Sequence, residues 1–280
     1  MADIEKESVK EREAKELERD FNLLSSADRG EELTVRDDQY DFPWLLDAIK
    51  LCRKRGSRFR LIDTGVFDLS QMEWIAKEGA DLYTSDEAKR DLENLKFIHR
   101  ITRKSGVIMG YFCYGDLGKE GNSSLFSELK TLGTMGFYIY LTNTEKERDF
   151  AQLNELASHC QMGGTWLVYY HYGPFSDAMV ELASHGAWIH IADRSLQQEG
   201  SGDLLMKAIK SSRSAGTNIV IHLEKGLDIS LLRRIVKAKA IVILKSFPKD
   251  YHSPLKDLER MIKIRNLDFR AYYLYKTFLP

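Results

Sequence analysis

Cysteine is scarce in this sequence and follows no recognisable spacing. The 280 residues include three cysteines, Cys52, Cys113 and Cys160, which lie far apart and form no CxxC pair. Their odd number and wide spacing give no support to a disulfide framework or to a thiolate metal site. This usage fits a reducing compartment.

The chain also lacks an excess of charge and a long apolar run. It carries 41 basic and 42 acidic side chains, whereas nucleic acids and anionic membranes select a basic excess. No run approaches the roughly 18 apolar residues of a membrane span, and residues 1–20 contain no apolar signal-peptide core. We therefore expect a cytoplasmic protein with a small-molecule substrate, no nucleic-acid partner and no membrane partner.

From Arg58 onward, short apolar segments alternate with helical segments. The eight strand candidates are RFRLID (58–63), ADLYT (80–84), VIMGYFCY (107–114), GFYIYLT (136–142), TWLVYYHY (165–172), AWIHIAD (187–193), NIVIHLE (218–224) and AIVILKS (240–246). A helical segment of roughly 10 to 20 residues follows each one, as in parallel strands joined by helical crossovers. The series predicts an α/β fold, a (β/α)8 TIM-type barrel. An open doubly wound sheet is the rival architecture.

Glycine-rich phosphate-binding sequences are missing from the joints of this series. The joint after the first strand, IDTGVFD, has one glycine, where a dinucleotide-binding sheet needs a fingerprint of several. After the seventh strand Gly226 stands alone, and SFPKDYHSP after the eighth contains none. Phosphate-binding barrels use glycine-rich backbone at these two loops, so we do not expect a phosphorylated substrate.

The N-terminal segment differs in composition from the rest. Residues 1–24 are rich in Glu, Lys and Arg, and their only helical apolar stripe is Leu17, Phe21 and Leu24. This pattern predicts a solvated helix whose final turns dock through that stripe. The helix is also our candidate for association into a homo-oligomer.

A second helix is predicted before the first strand. Residues 25–41 are polar and irregular, and DFPWLLDAIKLCRKRG then has Pro43 in its first turn and Gly56 after its end. This helix is placed to close the bottom of the barrel. We therefore assign 1–57 to an N-terminal helical extension with the barrel-closing helix, and 58–280 to the barrel domain.

Several joints carry signals for the start of a helix. Residues three apart can form a capping box, in which each side chain bonds the backbone of the other. Three such pairs are predicted: Asp68 with Gln71, Thr84 with Glu87, and Thr144 with Glu147.

In a parallel barrel, the functional residues lie at the C-terminal ends of the strands, because the loops converge there. Polar residues gather at those ends: Asp63, Thr64, Tyr114, Asp116, Asn143, His171, Asp193, Arg194, His222, Glu224 and Lys245. The opposite strand ends are plainer, and this asymmetry predicts the location of a site.

Alternation along the strands predicts where some of these side chains point. In NIVIHLE the isoleucines take the helix-facing side, so His222 and Glu224 point into the barrel, and the same reasoning turns His190 inward. Arg60 also falls inside and needs an acidic partner. Glu224 is a candidate for that partner.

One chemistry that suits these residues uses a divalent metal ion as cofactor. Imidazole and carboxylate groups come from three consecutive strands, with His171 and Asp193 as the named ligands and His190, His222 and Glu224 beside them. Amidohydrolase-type barrels place an HxH pair on the first strand, where this chain has RLID. Interior histidines that are satisfied by hydrogen bonds are the alternative.

Two further chemistries depend on carboxylates. Lys245 next to Asp63 and Glu224 would suit acid–base or Schiff-base chemistry on a carbonyl compound. Glycoside cleavage would pair Glu224 with a second carboxylate, namely Asp63, Asp116, Glu145 or Asp193. Tyrosines crowd the third to fifth strands and suit a sugar-like ligand, although we expect most of them to be core or barrel-filling residues.

Together these patterns predict a barrel enzyme that acts on a small polar carbonyl or sugar-like molecule. Its reaction would be acid–base or metal-assisted lyase, isomerase or hydrolase chemistry. The expected catalytic residues are Glu224, His222, Lys245 and Asp63. The expected substrate-binding residues are Tyr114, Asn143, His171 and Arg194. The alternative is a noncatalytic barrel that binds a ligand or serves as a scaffold.

Overall fold

A computed structural model describes residues 2–118, 124–144, 146–223 and 227–244. Within them nine strands alternate with helices: β1 Leu33–Arg36, β2 Phe59–Ile62, β3 Asp81–Ser85, β4 Met109–Cys113, β5 Tyr138–Thr142, β6 Leu167–His171, β7 Trp188–Ala192, β8 Ile219–Leu223 and β9 Ile241–Leu244. The α-helices are α1 Ala2–Asp28, α2 Phe42–Arg55, α3 Leu69–Glu78, α4 Leu92–Ser105, α5 Ser124–Met135, α6 Phe150–Met162, α7 Asp177–Ser184, α8 Ser201–Ser214 and α9 Ile229–Lys237. Of the helices in these ranges, none combines the length and apolar content needed to cross a bilayer.

The chain divides into two compact units, Met1–Met109 and Gly110–Pro280. In the first unit β1, β2 and β3 are parallel neighbours in chain order. In the second unit the strands from β4 to β9 pair in the same way, each with the next along the chain. A doubly wound sheet reverses its order at a switch point, and neither unit does. The fold is therefore α/β of the (β/α)8-barrel type, as the sequence predicts.

The eight predicted strands are confirmed, with ends that agree within two residues wherever the structure describes them. Residues 224, 245 and 246 of the last two predicted strands lie outside the described residues. The strand β1 was not predicted, because LTVR lies in the stretch 25–41 that reads as polar and irregular. Thr34 pairs with Arg60 and Val35 with Leu61, so β1 extends the parallel ladder of the first unit. Leu33 and Val35 are the only apolar residues in a run of charged ones, so this segment lacks the apolar content by which the other strands were recognised.

The two sides of the sheet differ in the second unit. One side carries aliphatic residues such as Ile189, Ile191 and Ile221, all buried. The other side carries rings in contact with each other, including Phe112 stacked on Tyr140 with centroids 4.3 Å apart. The histidines of β7 and β8 lie on this second side.

Helix α1 docks through a different face from the predicted one. Leu23 and Ala27 are buried, whereas Leu17 and Phe21 are 64% and 70% exposed. The predicted docking stripe is therefore wrong for Leu17 and Phe21, and Leu24 is only half-buried. In a helix so rich in charge, three apolar residues do not fix the rotation about its axis.

The start and stop signals are confirmed in part. Asp41 and Gly56 flank α2, and Gly56 has φ +73°. The capping box of Asp68 with Gln71 begins α3. The other two boxes are wrong, because Thr84 lies inside β3 and α6 begins at Phe150, beyond Thr144 and Glu147. Asp149 caps α6 by accepting a hydrogen bond from the backbone N–H of Ala151 at 2.9 Å.

Candidate functional site

Asp63 follows β2 and forms a buried ion pair with Arg90. Arg90 donates from Nε to Asp63 Oδ2 at 2.6 Å and from Nη2 to Oδ1 at 2.7 Å. The two side chains are 0% and 9% exposed. Thr84 donates its hydroxyl to Asp63 Oδ2 at 2.8 Å, and the N–H of Gly65 donates to Oδ1 at 3.0 Å. The carboxylate predicted as catalytic is thus held by four hydrogen bonds within the first unit.

Asp37 is a second buried carboxyl in this unit, and the sequence analysis missed it. It follows β1 and is 1% exposed. Its Oδ1 accepts hydrogen bonds from the N–H of Thr64 at 2.9 Å and from the Thr64 hydroxyl at 2.5 Å. Burial raises the pKa of Asp37, the hydrogen bonds from Thr64 oppose that shift, and the charges of Asp63 and Asp38 add to it. Recognising LTVR as a strand would have placed Asp37 at a C-terminal strand end.

Arg60, predicted to lie inside the barrel, pairs with another acid in the first unit. Its Nη2 donates to Glu32 Oε2 at 2.6 Å. The guanidinium is 14% exposed and Glu32 is 59% exposed, so water reaches one member of this pair. The suggested partner, Glu224, lies outside the described residues.

In the second unit, two buried histidines contact each other. The distance from His190 Nδ1 to His222 Nε2 is 3.1 Å, and each residue is 1% exposed. Tyr170 stacks on His190 with centroids 4.4 Å apart and an interplanar angle of 20°. The register of the strands produces this arrangement. Tyr170 of β6 lies opposite His190 of β7, and Ala192 of β7 lies opposite His222 of β8. His190 and His222 therefore lie on the same side of the sheet, as alternation predicts.

His171, at the end of β6, has a different environment. Its Nε2 lies 3.1 Å from the carbonyl oxygen of Pro174, so Nε2 carries the hydrogen and donates it. Its Nδ1 lies 3.5 Å from the Tyr169 hydroxyl. Burial lowers the pKa of His171, and the bond to Pro174 opposes that shift. Both ring nitrogens are thus engaged within the protein.

The side chains predicted to bind a metal ion do not come together among the described residues. Over 2–118, 124–144, 146–223 and 227–244, no three His, Cys, Asp or Glu side chains form a group that could hold a metal ion. Asp193 follows β7 and is 2% exposed. The pairing of His171 with Asp193 as metal ligands stays a prediction, and the hydrogen bonds of His171 do not favour it.

Two of the predicted substrate-binding residues are linked through Tyr172. Asn143 donates from Nδ2 to the Tyr172 carbonyl at 2.6 Å and accepts from the Tyr172 N–H at 2.6 Å. The Arg194 guanidinium lies 4.7 Å from the centroid of the Tyr172 ring. The amide of Asn143 therefore joins the loops after β5 and β6.

Arg148 is a buried cation that the sequence analysis missed. It lies before α6, is 9% exposed and donates to the carbonyls of Thr142 at 2.9 Å, Gly115 at 2.7 Å and Tyr114 at 3.4 Å. These bonds tie the ends of β4 and β5 together and hold the backbone of Tyr114. One arginine in a loop among many charged residues gives no sequence signal for such a role.

Two of the four predicted catalytic residues, Glu224 and Lys245, lie outside the described residues, as does Glu145. Of the other two, Asp63 belongs to the first unit and His222 to the second. The structure therefore describes one group of polar side chains in each unit. Each group lies at the C-terminal ends of its strands.

Comparison with known proteins gives no family. No protein-family model and no curated protein matches the chain. Among solved structures, it is similar to a mandelate racemase/muconate lactonizing protein from Herpetosiphon aurantiacus, with 14% identity and a TM-score of 0.36 over 75% of this chain and 52% of that one. It is similar to the deoxyribose phosphate aldolase of Aeropyrum pernix, with 13% identity and a TM-score of 0.35 over 87% and 95% of the two chains. It is also similar to the 3-dehydroquinate dehydratase of Aquifex aeolicus VF5, with 14% identity and a TM-score of 0.32 over 77% and 97%.

The chain thus spans about half the length of the first of these structures. At such identities and TM-scores the likeness carries no argument about activity. The fold class rests on the order and direction of the strands described above.

Proposed function

We propose that the protein is an enzyme that performs acid–base chemistry on a small polar carbonyl or sugar-like molecule. The observation that carries this proposal is the contact between His190 Nδ1 and His222 Nε2 at 3.1 Å, close to the C-terminal ends of β7 and β8. Histidine is the side chain most often used to move protons near neutral pH. Parallel α/β folds of this type carry their chemistry at these strand ends.

His222 is the proposed acid–base group, and His190 is its positioning residue. One of the two facing nitrogens must donate a hydrogen and the other must accept it, so the tautomer of one ring fixes that of the other. Tyr170, stacked on His190 at 4.4 Å, holds the ring in place. A proton taken up by His222 can therefore be passed to His190 without movement of either ring.

The test uses deuterium exchange, because proton abstraction next to a carbonyl is visible even where no net conversion occurs. The full-length protein is incubated in D₂O with a panel of small hydroxy-aldehydes, hydroxy-ketones and 2-hydroxy acids, and exchange is followed by proton NMR. We expect exchange with at least one class and a loss of about 100-fold or more in His222→Ala, the scale of general acid–base catalysis. His190→Phe should slow exchange less and change its pH profile.

The matched control is a histidine away from the strand ends. His159 on α6 contacts Thr134 through Nδ1 at 2.9 Å and is 29% exposed. We expect His159→Ala to leave the exchange rate unchanged. Equal rates in wild type and His222→Ala, or no exchange with any class, would contradict the proposal.

A second candidate function is noncatalytic association through α1. Leu17 and Phe21 lie one turn apart on this helix and are 64% and 70% exposed. Two large apolar side chains on one face suit contact with a second copy of the helix.

A separate observation also favours a noncatalytic protein. The Asn143 side chain bonds the backbone of Tyr172 through both its oxygen and its nitrogen, which favours a structural role for this predicted substrate-binding residue.

Sedimentation of the full-length chain tests this second function. We expect a concentration-dependent dimer in wild type and a monomer in Phe21→Glu, since a charge on this face opposes its burial. Glu16→Gln, on the same helix and exposed, serves as the control and should keep the dimer. A monomeric wild type across micromolar concentrations would remove the second candidate.

A further inference from the structure

We propose that the exposed basic surface of α8 and α9 binds the phosphate backbone of double-stranded nucleic acid without reading its base sequence. This surface lies within the second unit. Helix α8 runs from the loop after β7 back to the start of β8, so its C-terminal half lies near the N-terminal ends of the strands, away from the histidine pair. Binding at this surface is therefore independent of the proposed enzyme activity.

Charge is distributed unevenly in this part of the chain. Residues 201–223 and 227–244 carry seven lysines and arginines against two acids, Asp203 and Asp228. The whole chain carries 41 basic and 42 acidic side chains, the balance from which we expected no nucleic-acid partner. That total conceals a local excess of positive charge, which is the feature that attracts a phosphate backbone.

Both acids are already engaged. Asp203 accepts a hydrogen bond from Arg234 Nη2 at 2.8 Å. Asp228 caps α9 by accepting hydrogen bonds from the N–H groups of Ser230 and Leu231 at 2.9 and 3.1 Å. The other six cations are exposed and form no ion pair among the described residues: Lys207, Lys210, Arg213, Arg233, Lys237 and Lys239.

Two clefts border the exposed side of α8, and cations line both of them. The first cleft has a volume of about 510 Å³ and is lined by Ser184, Lys207, Lys210, Ser211, Ser214 and Ala215. The second has a volume of about 560 Å³ and is lined by Met206, Ile209, Lys210, Arg213, Ser214 and Ala238. Neither lining includes an acid. Lysine and arginine are the side chains that contact phosphate oxygens most often.

The stability of α8 does not explain its two lysines. The helix dipole favours cations only within the last turn, which here contains Arg213 and neither Lys207 nor Lys210. Residues three apart are neighbours on a helix surface, so these three side chains place like charges side by side, which weakens a helix. Their exposure and spacing suit a ligand of opposite charge.

The surface suits a duplex backbone better than it suits other polyanions. Neither α8 nor α9 has a large apolar side chain that is exposed, whereas membrane-surface helices insert such residues and protein interfaces centre on them. Neither helix contains an aromatic residue on which an unpaired base could stack. Cations alone can hold a backbone, and such contacts carry no sequence information.

Fluorescence anisotropy tests the binding of the full-length protein to a labelled duplex as the salt concentration rises. If the three cations of α8 each displace one counterion, log K falls with log salt at a slope of about −2.7, a loss of about 40-fold between about 50 and 200 mM. We expect a slope at least this steep. Duplexes of unrelated sequence should bind within about twofold of each other.

A double variant identifies the surface. Lys207→Ala combined with Lys210→Ala removes two contacts, so we expect the slope to become shallower by about 1.8, while Lys207→Arg combined with Lys210→Arg should keep it. The alanine changes should not lower the free energy of unfolding, because they remove neighbouring like charges. The matched control is Lys146→Ala, which removes an exposed lysine of the same unit outside both clefts and should keep the wild-type slope.

Two kinds of result would overturn the proposal. The first is no binding of the duplex at low salt, or equal slopes in the double alanine variant and Lys146→Ala. The second is tighter binding of a single strand, of poly-glutamate or of vesicles that contain phosphatidylserine than of the duplex, which would identify a different polyanion as the partner.

Discussion

The two groups of polar side chains, one in each unit, offset the cost of burying polar atoms in different ways. In the first unit, Asp63 and Arg90 form an ion pair joined by two hydrogen bonds of 2.6 and 2.7 Å. In the second unit, His190 and His222 are packed among rings, with Tyr170 stacked at 4.4 Å. One group depends on charge compensation and the other on aromatic packing and a shared hydrogen.

This difference indicates different capacities for chemistry. A carboxylate that already accepts four hydrogen bonds, two of them from an arginine, is committed to holding the structure together. A histidine pair can exchange one, because each ring is both a donor and an acceptor. Asp37 is the exception in the first unit, since it combines burial with an oxygen that has no partner among the described residues.

The largest effect should come from breaking the charge pair. Arg90→Met leaves Asp63 buried with no cation, and we expect a loss of about 3–5 kcal/mol in the free energy of unfolding, measured by urea denaturation. The control is Arg55→Met, which removes the pair with Asp28 whose side chains are 46% and 55% exposed. That change should cost about 1 kcal/mol or less. Equal losses in the two variants would show that the first group is not held by charge compensation.

A smaller loss is expected from the second group. His190→Phe keeps a ring against Tyr170 and removes the hydrogen bond to His222, so we expect a loss of about 1–2 kcal/mol in the same urea measurement. Adding salt should leave this loss unchanged, because screening acts on charges and not on stacked rings. A loss as large as that of Arg90→Met would erase the contrast between the groups.

The pH dependence of stability should have opposite signs in the two units. Burial raises the pKa of Asp37 above its ordinary value of 3.8. Above that pH the unfolded chain releases the proton that the folded chain retains, so stability falls as pH rises. Asp37→Asn should remove this decline, and its stability relative to wild type should therefore increase from pH 4 to pH 8. A constant difference between the two proteins would contradict the raised pKa.

The smallest effect concerns His171. Burial lowers its pKa below 6.5, so the unfolded chain takes up a proton first as the pH falls, and stability declines below about pH 6.5. His171→Phe keeps a ring beside Phe150 and should reduce this decline in chemical unfolding experiments between pH 7.5 and pH 5. An unchanged slope would mean that His171 becomes protonated in the folded protein as readily as in the unfolded chain.

Much of the fold could be predicted because its signals are local. Apolar segments that alternate with helical ones marked the strands from β2 to β9, and Pro43 and Gly56 marked the ends of α2. The strand β1 was missed because Leu33 and Val35 are the only apolar residues in a charged stretch. The docking face of α1 was wrong because it depends on what the helix packs against. Tertiary contacts decide both features.

The site was predictable only in part, for a related reason. Alternation placed His190 and His222 on one side of the sheet without further information. Asp37, by contrast, depends on Thr64, which lies 27 residues away in the chain. Arg148 acquires its role from the Gly115 carbonyl, 33 residues distant. Loop residues have no periodicity that could reveal such partners.

The central claim is that His190 and His222 share a single hydrogen in a fixed pair of tautomers. Long-range nitrogen–proton NMR correlations of ¹⁵N-labelled histidines at pH 7, assigned with His190→Phe and His222→Ala, measure this directly. We expect one of the two facing nitrogens to carry a hydrogen and the other to lack one. Hydrogens on both nitrogens, on neither, or a fast average over tautomers at both rings would contradict the account.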